Sequence, residues 1–147
     1  MLSQLKSLFA GSAAPAAGLD LRTAVAALLV ETAWSADGFD PAEQECIEAL
    51  LQTRFDISPA QAKDLLAAGD QAGRNNVHML RFTKQILEGM EPERRVEMIE
   101  MLWEVAYADG VLSVDEERLI TKVSGLLFVS AGERNAARRR AMAKLGL

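Results

Sequence analysis

Apolar residues recur along this chain at three- and four-residue steps, which is the period of helices and not of strands. Start signals punctuate the pattern. Asp40-Pro41-Ala42-Glu43 combines an N-cap, a proline where its missing N–H costs nothing, and a glutamate at the third helical position. Ser58-Pro59-Ala60-Gln61, Ser113-Val114-Asp115-Glu116 and Ser130-Ala131-Gly132-Glu133 repeat that logic, and Pro92 after Glu91 opens one more helix. Spacing and caps together predict helices over 2–9, 19–35, 41–55, 59–72, 75–89, 92–108, 114–128 and 131–145. Core faces follow from the same spacing: Ile47, Leu50, Leu51 and Phe55 on one helix, Met79, Phe82, Ile86 and Met90 on another. Val96, Ile99, Leu102 and Ala106 form a third, and Leu119, Ile120, Val123, Leu126 and Leu127 a fourth. The small-residue run AGSAAPAAG over 10–18 reads as linker. The organisation is thus an amphipathic N-terminal segment and linker over 1–18 and one helical domain over 19–147. The predicted fold class is all-α, a single-domain helical bundle.

An internal repeat refines this picture. VETAWSADGFDPAEQECIEALL (30–51) parallels WEVAYADGVLSVDEERLITKVSGLL (103–127). Each copy carries a glutamate on the last turns of an apolar helix, then Ala-Asp-Gly, then a capping box and another amphipathic helix. Glu31 precedes Glu43, and Glu104 precedes Glu116, by the same interval, but Asp37 is one residue out of register with Asp109. Two pseudo-symmetric helix–turn–helix hairpins are expected.

Composition and charge narrow the function classes. Half of the residues are apolar and the net charge is only −5, so the chain can build a core and is not disordered. No apolar run is long enough to span a membrane, and no signal peptide is read in the first residues, so the expected compartment is the cytoplasm. The single Cys46 forms no internal disulfide and no zinc cage. All 21 acidic residues lie at or before Glu133, while the last fourteen residues carry +5. An acidic body repels nucleic-acid phosphates, and the basic C-terminal helix is expected to dock on acidic surface of this chain or of a partner.

The candidate chemistry sits in the two Asp-Gly turns. With Glu116 as a twelfth ligand, an EF-hand would need oxygen donors at Val105 and Tyr107, so a conventional calcium loop is excluded. A looser constellation of Glu31, Asp37, Glu43, Glu104, Asp109 and Glu116 offers hard oxygens to a divalent cation, with Ca²⁺ or Mg²⁺ preferred over Zn²⁺. Capping is the competing and preferred role for Glu43 and Glu116, because each can bond back to its own N-cap. His78 has no companion ligand and reads as a structural histidine. Cys46 reads as a packing residue, since Glu43 and Glu45 disfavour a thiolate. No phosphate loop, nucleophile elbow or H-E-x-x-H occurs, and no catalytic constellation is present, so no enzyme is expected.

EMLWEVAYADGVLSVDEERLI (100–120), VSGLLFVS (123–130) and AARRRAMAKLG (136–146) resemble the bacterial TerB-like family, named for tellurite resistance. LLVETAWSADGFDPAE and VHMLRFTKQI match less tightly, and the similarity covers roughly 19–145. The resemblance implies about seven helices and acidic loops that bind a metal ion. The family's acidic positions fall on Glu31, Glu43, Glu104, Asp109 and Glu116, with Ala36 where a second aspartate belongs and Asp37 beside it. It also implies a stress-response module that engages a protein partner, in complexes peripheral to membranes, without an integral membrane segment. The alternative is a purely structural helical adaptor whose acidic loops are helix caps and whose basic C-terminal helix docks a partner.

Overall fold

The computed structural model describes residues 21–33, 41–74, 79–108, 110 and 112–147. The expected helix at 2–9 and the positions Trp34, Asp37, Gly38, Asp40, His78 and Asp109 lie outside these. Among the described residues the chain forms seven helices and no strand. They are α1 (Leu21–Ala33), α2 (Pro41–Phe55), α3 (Pro59–Arg74), α4 (Met79–Gly89), α5 (Pro92–Ala106), α6 (Val114–Leu126) and α7 (Ala131–Lys144).

The starts follow from local chemistry. Ser58 Oγ accepts from the Gln61 N–H at 3.1 Å while Gln61 Oε1 accepts from the Ser58 N–H at 2.8 Å. Ser113 with Glu116 and Ser130 with Glu133 close the same reciprocal box at 3.0–3.1 Å. Pro92 opens α5 with no side-chain cap on Glu91. Replacing Ser113 with Ala leaves the Glu116 N–H without its partner and is expected to cost about 1 kcal/mol, read as a lower chemical-denaturation midpoint. An unchanged midpoint would remove the capping role from this turn.

The middle of the molecule is α1. Every residue from Ala24 to Val30 is buried, and the helix packs against α2, α3, α4, α5 and α6. A helix apolar on all sides belongs in the interior. Its closest neighbour is α3, which approaches at Gly69, where a Cβ would lie 2.8 Å from the Ala26 carbonyl carbon, Ala26 Cβ and the Ala27 nitrogen. A second buried helix is α5, with every residue from Met98 to Ala106 and the following Tyr107 shielded. The basic helix α7 lies on α5, so it meets acidic surface of its own chain. Ala137 and Ala141 are its fully buried residues; Leu145, which continues their spacing, is 39% exposed because it caps the helix end.

Three helix ends close where the backbone turns left-handed. α2, α6 and α7 each close with a bond spanning five residues: Ile57 N–H to Gln52 O, Val129 N–H to Ser124 O and Leu147 N–H to Met142 O. The residue before each donor has positive φ: Asp56 at 52°, Phe128 at 59° and Gly146 at 74°. Asp and Gly suit that conformation, but a bulky side chain pays about 1–2 kcal/mol for it. Phe128 adopts it nevertheless and ends α6 at Leu126, short of the expected 128.

Candidate functional site

The predicted ligands do not share one environment. Glu31 is exposed on the last turn of α1. Glu43 in the first turn of α2, Glu104 near the end of α5 and Glu116 in the first turn of α6 are all buried. Asp37 and Asp109 lie outside the described residues. Glu116 is held as a cap, its Oε1 accepting from the Ser113 N–H at 3.0 Å. Among the described residues, no three His, Cys, Asp or Glu side chains come close enough to hold a metal ion.

Two of the predicted positions, Glu104 and Glu43, act on Cys46 through their charge. Burial, then the charge of Glu104, then that of Glu43, push its thiol up to about 11. α2 packs against α5, and the sulfur lies within electrostatic reach of an acid on each. Glu104 is one of the acids responsible, and Glu45, expected to contribute, is exposed on α2.

The arriving cations come from α7. Lys144 Nζ lies 2.5 Å from Glu100 Oε2 and 3.4 Å from Glu104 Oε2, and Arg140 Nε lies 2.6 Å from Glu100 Oε1. Burial raises the Glu100 carboxyl, but hydrogen bonds from Lys144 and Arg140 outweigh it and hold the group below its ordinary range. At Glu104 burial prevails over the attraction of Lys144, and the nearby Glu100 adds to it, so the carboxyl is raised. The Lys144 ammonium is raised in turn, chiefly by its hydrogen bond to Glu100. One carboxylate is thus well neutralised and its neighbour is not. Both line a groove of about 850 Å³ between α2, α5 and α7, with Leu50 and Arg54 on one wall and Met101 beneath.

A third cluster was not anticipated from the sequence. Arg138 sits with its guanidinium carbon 5.0 Å from the Trp103 ring centre and 5.8 Å from that of Tyr107. Its Nε donates to Tyr107 Oη at 2.8 Å and its Nη1 to Glu117 Oε2 at 3.4 Å. Trp103 Nε1 is buried without an acceptor, so packing and the guanidinium hold the ring. The available signal was the four-residue step from Trp103 to Tyr107, which puts both rings on one helix face.

Chemically this arrangement binds charge. It pairs no nucleophile with a base among the described residues, and its thiol is protonated at neutral pH. Among the described residues no helix is long and apolar enough to cross a membrane. Compared with known proteins, the chain matches the family model described as tellurite resistance protein TerB over residues 22–139. No curated protein and no solved structure matches it.

Proposed function

The chain belongs to the tellurite resistance protein TerB family, and from that premise we propose that it is a non-enzymatic module that binds a divalent cation where α2 meets α5 and engages a protein partner. The observation that carries the cation reading is the buried carboxyl of Glu104, raised by burial despite Lys144, on a helix that packs against α2, where Glu43 is also buried. The residues fit such an ion in part. Glu104 is placed to contribute, Glu43 is buried on the adjoining helix, Glu116 has one oxygen committed to its cap, and Glu31 points its charge at solvent. By sequence, Asp37 and Asp109 adjoin the two helix ends and would complete the set. A bound cation would supply positive charge beside the raised carboxyl of Glu104. With the thiol protonated the donors are oxygens, which suit Ca²⁺ or Mg²⁺ rather than Zn²⁺. In a stress response or in tellurite resistance, such a module acts by binding, from the cytoplasm, with its partner complex peripheral to a membrane.

Titrating Ca²⁺, Mg²⁺, Mn²⁺ and Zn²⁺ into the full chain tests the proposal by calorimetry and thermal melting. At a hundredfold excess over Kd, the ion is expected to stabilise the fold by about 2.7 kcal/mol. Glu104→Gln and Asp109→Asn should abolish that gain and leave the metal-free protein as stable or slightly more so, since each removes a repelling charge. Absence of heat and of any shift at millimolar concentrations of all four ions would end the cation reading.

The second reading, a structural adaptor, draws on the ion pairs of α7. Lys144 and Arg140 already serve Glu100 and Glu104, and Glu116 caps its own helix. Three of the five C-terminal cations, Arg138 included, are thereby engaged within the chain, so a partner of the adaptor meets other surface than the α5 side of α7.

A further inference from the structure

The outer face of the α6–α7 hairpin carries features that the fold does not use. Val114, Arg118, Lys122 and Gly125 follow one another at four- and three-residue steps and are all exposed, so they share one face of α6. A Cβ at Gly125 would meet nothing within 4 Å, which leaves that face open. Phe128 stands just beyond its end, 79% exposed. It is the least shielded large apolar side chain among the described residues, and it occupies the left-handed position that Asp56 and Gly146 fill at the ends of α2 and α7. The phenyl ring therefore weakens the helix end and gains almost no burial in return.

The charges beside it are equally unpartnered. Arg118, Lys122, Arg134 and Arg139 have no side-chain hydrogen bond or ion pair among the described residues. From residue 113 onward the chain holds seven cations and four acids, a surplus of three in a molecule whose net charge is −5. Three of those cations, Arg138, Arg140 and Lys144, are held by Glu117, Glu100 and Glu104. The cations left to a partner are therefore Arg118, Lys122, Arg134 and Arg139, and the Arg138–Glu117 contact sets α7 beside α6.

We propose that the outer face of the α6–α7 hairpin, with Phe128 as anchor and Arg118 and Lys122 beside it, is a docking site for an acidic segment of a partner protein that offers an apolar pocket. Complementary charge steers and orients such a segment, and a single well-packed aromatic supplies the anchoring contact. An anionic bilayer is disfavoured, because one phenyl ring inserts little apolar surface. A second copy is disfavoured by the net negative charge of the chain. The surface lies apart from the α2–α5 junction and does not depend on a cation there.

Selection of a random-peptide display library on the full chain supplies the probe. The enriched peptides should be rich in Asp and Glu around an apolar residue. Binding should weaken with salt and fall about tenfold or more in Phe128→Gly and in the Arg118→Glu, Lys122→Glu double variant. Phe128→Gly should also melt at the same temperature as the wild type or higher, since glycine suits the left-handed turn, which separates lost docking from lost folding. An empty selection, peptides without acidic bias, or equal binding to Phe128→Gly would overturn the proposal. So would Phe128-dependent sedimentation with phosphatidylglycerol vesicles, or Phe128-dependent dimerisation in analytical ultracentrifugation, which would assign the face to a membrane or to a second copy.

Discussion

Deleting residues 131–147 is expected to cost about 5 kcal/mol, enough to lower the melting temperature by roughly 10–20 °C. The ion pairs are the smaller part of that loss. Arg140 and Lys144 are 50% and 57% exposed, and pairs of that kind contribute about 0–1 kcal/mol each. The larger part is apolar. Without α7, the faces of Trp103 and Tyr107 lose Arg138, the methyl groups of Ala137 and Ala141 leave the core, and one side of α5 is opened to water. Burial of a large side chain is worth about 1.5–3 kcal/mol, and several are uncovered at once. High salt should therefore reproduce little of the effect of the deletion. A truncated chain that melts with the full-length protein would show that α7 contributes nothing to the stability of the domain.

A single methyl group placed at Gly69 is expected to be costly too. In an exposed helix, replacing glycine with alanine gains up to about 1 kcal/mol from restricted unfolded conformations. At Gly69 the new Cβ would sit 2.8 Å from three atoms of α1, two of them backbone, and backbone cannot swing aside as a side chain does. Overpacking of that kind costs about 1–3 kcal/mol, occasionally more, so Gly69→Ala should destabilise the protein by about 2 kcal/mol net. The shift is read in urea unfolding as a lower midpoint. A stabilised variant would mean that α1 and α3 separate more easily than their contact suggests. Gly125→Ala, on open helix surface, is the matched control.

What the sequence made legible was local. The starts of α2, α3, α5, α6 and α7 coincide with their Pro and Ser signals, because a cap is decided within four residues. The ends of α5, α6 and α7 were overrun by one or two residues, because α5 stops at Tyr107 without glycine and α6 turns on a phenylalanine. The unbroken apolar run of α1 announced burial on all sides, yet which helices surround it depends on contacts between distant segments. The candidate site was legible by halves for the same reason. Glu116 as a cap follows from Ser113 three residues earlier. The influence of Glu104 on Cys46, and the pairing of Glu100 with Arg140 and of Glu104 with Lys144 forty residues on, are tertiary, and no spacing rule reaches that far.

Cys46 has a practical meaning beyond its place in the α2–α5 junction. A thiol with a pKa of about 11 is thiolate in roughly one molecule in ten thousand at pH 7, about a hundredfold less than an ordinary cysteine. Alkylating reagents and peroxides consume the thiolate, so the folded chain meets them slowly. Any acceleration then reports that α2 has lifted from α5 and freed the sulfur from its two acidic neighbours. The rate of Cys46 labelling is thus a built-in clock for local opening at that junction, and it runs without any added probe group.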